Sequence, residues 1–410
     1  MLTKLTKEEN SNTKIKERYT CIFGGGAIRG VSYVGALHAL DELGIVPDSV
    51  SGSSVGAIFA GLLAAGYNSA EIEEIFLKIN FDLFRDIHFG FGNAFALSKG
   101  EVFLEWIREM IEKKFYGADY KKGNNPTVKF KDLDKDLVII TTDLTNFKCK
   151  EFSKQNTPNF EVATAIRISS SMPGLMTAVK YENTELVDGD LQKSWPLWKL
   201  SNTLKNSENR ILEFRLEGNY DKNGKNPIDY LNTVYSCVTS IATKNVVEMY
   251  GQCDKYDYVT INTGDVIIVD FNMSSKNRQE LITLGYEQTM HYFKNVLPVK
   301  KQNLINDYKQ MLNSVEIIVE SLHKKNVQSA KFEMCELYSV LCEVKPKIDE
   351  VFYSKIKNIK FRIFDELKPS PILKKYSSQK IHSIEEDCKQ LKQSLELRIS
   401  ELDAYVAVLQ

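Results

Sequence analysis

Two regimes of hydrophobic patterning divide the chain. In the first, short β-branched runs alternate with helical segments: YTCIF (19–23), DLVIITT (136–142), ILEFRL (211–216) and YVTI (258–261). Such alternation predicts an α/β layered fold with a mainly parallel central sheet. In the second, Leu304, Tyr308, Met311, Val315, Ile318 and Leu322 recur at helical spacing, as do Ile384, Cys388, Leu391, Leu395, Ile399, Leu402, Val406 and Leu409. These stripes predict an all-α C-terminal region, interrupted where KPSP (368–371) breaks the helices. They fit antiparallel helices packed on one another or on the α/β part. A dimerising coiled coil is the alternative, against which each stripe is short and interrupted.

Glycine usage sharpens the division. All 22 glycines lie at or before Gly285, which places the boundary near Pro298. The expected organisation is a loose polar leader over 1–18, an α/β domain over 19–297 and a helical region over 298–410. At 410 residues and 43% hydrophobic, the chain has ample material for packed cores. A formal net charge of −1 argues against a nucleic-acid binder, which carries a clustered basic excess. Seven scattered cysteines, none in a C-x-x-C, read as reduced thiols rather than a zinc site. The lysine-rich leader has no signal-peptide core, and no apolar run of membrane-spanning length occurs. A cytoplasmic location is therefore expected, with leaderless secretion left open.

The first candidate chemistry is CIFGGGAIRG (21–30), directly after a predicted strand. A Walker A loop would need lysine after Gly30, where Val31 and Ser32 stand. A dinucleotide fingerprint matches imperfectly, since Ala27 or Arg29 falls where glycine is required. Two readings remain: a plain strand-to-helix turn, or an oxyanion hole whose backbone N–H groups converge on a negative oxygen.

The second is VSGSSVGA (50–57), which contains G-x-S-x-G. Gly52 and Gly56 permit a sharp turn with Ser54 strained and its hydroxyl exposed. Alternatively, Ser53 or Ser54 merely caps the helix that follows. The histidines (38, 88, 291, 323 and 382) do not fall in glycine-marked turns after strands. A Ser-His-Asp triad therefore has little support. Asp188, at the end of TELVDGD (184–190), is better placed. A carboxylate can serve as base when an apolar setting raises its proton affinity. An ordinary Asp-Gly turn is the competing reading.

Taken in order, GGGAIRG, GSSVG and DGD resemble the patatin-like phospholipase family, as do the runs at 163–190 and 271–293. The resemblance covers residues 19–297. It implies a patatin-like three-layer fold and a Ser-Asp dyad that needs no histidine, metal or cofactor. Ser54 would be the nucleophile and Asp188 its base. Gly25, Gly26 and Ala27 would form the oxyanion hole, with Arg29 steadying the loop or binding a headgroup phosphate. Gly30, Gly52, Gly56, Gly189 and Asp190 would be supporting positions. The implied activity is lipid acyl hydrolysis of a phospholipid or similar ester, with peripheral membrane contact and a protein or small-molecule activator. Two positions depart from the family pattern. Ala27 replaces its middle glycine, which is harmless if φ stays negative there. Asp190 replaces a glycine or alanine, and either raises the proton affinity of Asp188 or points into solvent. The phenylalanine-rich stretch 79–97 fits a lipid-facing lid or core. A different class of function is a catalytically silent interaction protein acting through its helical C-terminal region.

Overall fold

The computed structural model describes residues 18–81, 96–191, 209–218, 227–266, 272–348, 350–370 and 375–409. The leader and most of the phenylalanine-rich stretch lie outside the described residues. The chain divides into two compact units, Lys16–Glu248 with Lys255–Tyr292, and Met249–Asp254 with Phe293–Gln410.

The first unit is built on strands β1 (Tyr19–Phe23), β2 (Pro47–Gly52), β3 (Ala96–Ser98), β4 (Asp136–Asp143), β5 (Lys148–Ser153), β6 (Gly174–Met176), β7 (Val179–Tyr181), β8 (Thr184–Asp188), β9 (Arg210–Glu217) and β10 (Tyr256–Asn262). Its helices are α1 (Ser32–Leu43), α2 (Val55–Ala64), α3 (Ser69–Lys78), α4 (Glu101–Tyr116), α5 (Val162–Ser169), α6 (Pro227–Tyr250) and α7 (Ser275–His291). The main sheet runs β10-β9-β1-β2-β4-β8-β7, with β5 also on β4. From β10 to β4 every pairing is parallel, and β5, β8 and β7 join antiparallel. The fold is the expected α/β architecture, and the four quoted β-branched runs all fall within strands.

The register around β4 brings two of the motifs together. Residues 136–139 of β4 pair with β2, while 141–143 pair with β8. Since β5 pairs with 138–143, it occupies the opposite edge, so β2 and β8 share one edge. β2 runs parallel and ends at Gly52, opposite Ile139; β8 runs antiparallel and ends at Asp188, opposite Thr141. The two strand ends therefore meet head-on at Ile140. Beneath them, Phe23 stacks on Phe214 at 5.3 Å, Tyr33 meets Phe23 and Phe59 edge-on at 5.4 Å, and Phe59 stacks on Phe76 at 4.5 Å. Such pairs contribute about 0.5–1.5 kcal/mol each beyond their buried area.

Helices α1 and α7 cross at backbone contact. A Cβ on Gly35 would stand 1.8 Å from the Ile282 carbonyl oxygen, and one on Gly285 would stand 1.8 Å from that of Ser32. Neither position can carry a side chain without separating the helices.

The second unit contains α8 (Leu297–His323), α9 (Val327–Val344), α10 (Glu350–Phe361) and α11 (Ser378–Leu409). The stripes 304–322 and 384–406 are buried in a single cluster, with Leu304, Met311 and Ile318 joining Cys388, Leu395 and Leu402. The helices thus pack on one another. Pro298 begins no linker: it sits in the first turn of α8, where a missing N–H costs nothing. The unit also takes in residues 249–254, which no composition signal marks. Their anchor is Asp254, whose Oδ1 accepts from the fully buried Lys301 ammonium at 2.6 Å.

Candidate active site

Ser54 lies two residues beyond the end of β2, with φ 53° and ψ −129°. A non-glycine residue in this region stores on the order of 1–3 kcal/mol, held only because its surroundings over-determine it. The serines of α5 and the turn after it do this. The Ser54 N–H donates to both the carbonyl oxygen and the Oγ of Ser169, each at 3.1 Å, while Ser169 Oγ donates to the Ile140 carbonyl at 2.6 Å. Ser170 Oγ donates to the Ser54 carbonyl at 3.3 Å. Ser54 occupies the N-cap position of α2, yet its side chain makes no capping hydrogen bond. Helix capping is therefore not what this hydroxyl does.

Ser54 is less open than the motif implies, at 9% exposure. Glycine at 25 permits this enclosure, because a Cβ there would stand 3.0 Å from Ser54 Cβ. Gly56 is required for a similar reason: its Cβ would come within 2.0 Å of the Phe23 carbonyl oxygen. Gly52 and Gly30 face comparable contacts with Gly56 and Val55.

Asp188 is fully buried. Its N–H donates to the Ser171 carbonyl at 3.0 Å, and its Oδ1 accepts the Asp190 N–H at 2.9 Å. Gly189 turns the chain against β4, where a Cβ would stand 2.1 Å from the Ile140 oxygen and 3.1 Å from Ser53 Cβ. Asp190 does not point into solvent. Its Oδ1 accepts from Ser53 Oγ at 2.9 Å and from the Gly25 N–H at 3.1 Å.

The glycine loop departs from expectation in two places, and Arg29 fits the supporting one of its two expected roles. The Gly25 N–H is engaged by Asp190, so Gly26 and Ala27 are the better placed of the three expected donors. Ala27 adopts φ 49°, not a negative value, at the position where the family pattern has glycine. The left-handed conformation costs alanine about 1–2 kcal/mol. Arg29 is 3% exposed and donates from Nε to the Val266 carbonyl at 2.8 Å. It packs beneath the loop, where a headgroup phosphate could not reach it.

Tyr33 is a support that the motif reading missed. Its phenol donates to the carbonyls of Gly24 at 2.9 Å and Phe214 at 3.2 Å. Burial above all, then the negative charge of Asp190, pushes its pKa well above the usual tyrosine range. It stays a neutral donor. Ser169 and Ser170 were also missed as a pair, although the SSS run at 169–171 was a visible signal.

Described histidines are occupied elsewhere or exposed. His38 meets Glu73 at 2.9 Å and His323 meets Glu385 at 3.3 Å, while His291 and His382 are exposed. His88 lies outside the described residues. Among the described residues no cluster of His, Cys, Asp or Glu could hold a metal ion.

Comparison with known proteins places this arrangement in context. Residues 21–198 match the family model described as patatin-like phospholipase. YqhO of Bacillus subtilis is 24% identical over 293 residues, spanning 67% of this chain and 97% of that protein. Probable lipid hydrolase 463L of Invertebrate iridescent virus 6 is 27% identical over 187 residues, spanning 45% of this chain and 64% of its own. The crystal structure of VipD from Legionella pneumophila aligns over 96% of this chain and 90% of that one, with a TM-score of 0.47 and 14% identity. With its glycine loop, serine turn and aspartate strand in the order of that family, this chain carries a patatin-like phospholipase domain over residues 21–198.

Proposed function

We propose that the chain is a lipid acyl hydrolase of the phospholipase A type, working through Ser54 and Asp188. The observation that most supports this reading is the head-on meeting of β2 and β8 on one edge of β4. It brings a strained serine turn and a buried carboxylate to the same residue, Ile140. In this mechanism Ser54 Oγ attacks the ester carbonyl carbon as its proton passes to Asp188. The carbonyl oxygen becomes negative and is held by the N–H groups of Gly26 and Ala27, aided by the positive end of α2. Collapse expels the alcohol, which takes the proton from Asp188, and leaves an acyl-Ser54 ester. Water then attacks that ester with Asp188 again as base, releasing the carboxylic acid and restoring the serine.

Covalent labelling by a fluorophosphonate is the direct test. Ser54→Ala abolishes labelling and ester hydrolysis with the fold retained, since only a hydroxyl is removed. Ser53→Ala keeps labelling. The opposite pattern would show that the turn has been misread.

Peripheral contact with a lipid surface belongs to the same reading, because a substrate of this class resides in one. No described helix is long and apolar enough to cross a membrane. Tyr230, Val234, Val238 and Ile241 of α6 are exposed at intervals of four, four and three, an apolar stripe suited to interfacial contact. Val238→Glu with Ile241→Glu is expected to weaken co-sedimentation with phospholipid vesicles about tenfold while sparing hydrolysis of a soluble ester. Unchanged sedimentation would remove α6 from the membrane contact.

A further inference from the structure

We infer that Asp190 is a positioning residue that fastens the glycine loop to the serine turn and compensates for alanine at position 27. The inference rests on the hydrolase reading above. One carboxylate oxygen, Asp190 Oδ1, accepts from the Gly25 N–H at 3.1 Å and from Ser53 Oγ at 2.9 Å. The backbone of the same residue donates to Asp188 Oδ1 at 2.9 Å. Asp190 therefore joins the three segments that the reaction needs: the oxyanion loop, the nucleophile turn and the base.

The two departures from the family pattern are physically linked. Ala27 is held at φ 49°, beside Gly26 at φ 150°. A glycine at 27 would occupy that backbone region freely, whereas alanine is driven out of it by its Cβ. A loop under this strain relaxes away from its working geometry unless something holds it. Asp190 holds it two residues upstream, with charge-assisted hydrogen bonds of the stronger kind. The side chain is seated for this task. A Cβ on Gly25 would lie 2.7 Å from Asp190 Cγ, so only glycine at 25 lets the carboxylate approach the loop backbone.

The experiment uses the full chain, a soluble short-chain ester and amide hydrogen exchange over residues 24–30. Asp190→Gly, which restores the family's usual residue type, is expected to lower kcat about tenfold with KM changed less than about twofold. The Gly25 amide should exchange faster in that variant. Asp190→Asn keeps an acceptor oxygen in place and should stay within about threefold of the parent kcat. Adding Ala27→Gly to Asp190→Gly removes the strain and should recover most of the lost kcat. The inference is overturned if Asp190→Gly keeps its kcat and its Gly25 protection. It is also overturned if Asp190→Asn falls as far as the glycine variant, or if the double variant does not recover. A parent protein that neither hydrolyses esters nor labels with fluorophosphonate would sink the hydrolase reading instead. In that case the exchange of Gly25 still decides whether the fastening exists.

Discussion

Asp188→Asn is expected to lower ester hydrolysis by about 10²–10⁴-fold, the usual contribution of a positioned general base, while leaving the melting temperature close to that of the parent. Asparagine has nearly the shape of aspartate, and its Oδ1 can still accept the Asp190 N–H that Asp188 accepts at 2.9 Å. What it cannot do is take the serine proton at neutral pH. The backbone contact to Ser171 is unaffected, since it belongs to the N–H of residue 188. Single replacements of His38, His291, His323 and His382 should retain activity, because none has a described link to Ser54. A folded histidine variant as inactive as Asp188→Asn would overturn the assignment of the base.

Asp254→Asn is expected to destabilise the helical unit by about 3–5 kcal/mol, the range for breaking a buried ion pair by removing one partner. Lys301 is fully buried and its Nζ donates to Asp254 Oδ1 at 2.6 Å and to the Asp254 carbonyl at 3.0 Å. The other carboxylate oxygen is bonded by Arg398. Neutralising Asp254 leaves two cations facing an amide, with the Lys301 ammonium also over the face of the Tyr405 ring at 5.6 Å. Urea unfolding of parent and variant reads the effect. A loss below about 1 kcal/mol at neutral pH would show that the charge pair is not what holds residues 249–254 in this unit.

Local signals carried far in this chain. The β-branched runs gave strands because their side chains are buried on both faces, so the pattern survives folding unchanged. The three motifs could be ordered along the chain, and their order alone indicated the family. What remained hidden depended on contacts between distant segments. The orientation of Asp190 follows from how β8 enters against β4, and either solvent or the loop was open to it in the sequence. Ala27 could not be assigned a sign of φ, because its strain is imposed by the turn around it. Arg29 read equally well as a ligand for phosphate or as a loop support, and only its burial separates the two. Residues 249–254 carry no periodic pattern, and their ties to the helical unit, the Asp254 side chain on Lys301 and its N–H on the Lys347 carbonyl, join distant segments. The serines at 169 and 170 act on backbone groups of Ser54, so the visible SSS run names the residues but not their partner.

The head-on strand junction also has a consequence in time. The serine turn closes on a carboxylate 137 residues further along the chain. The glycine loop is completed later still, when the Gly24 N–H finds the Phe214 carbonyl at 3.0 Å. During synthesis at about 5–20 residues per second, Ser54 emerges roughly 7 to 27 seconds before Asp188. On the proposed reading, a truncated or nascent chain ending before Asp188 would hold the nucleophile without its base. Sheet topology would then set a delay between making the reactive residue and arming it, and the growing chain would spare the lipids around it.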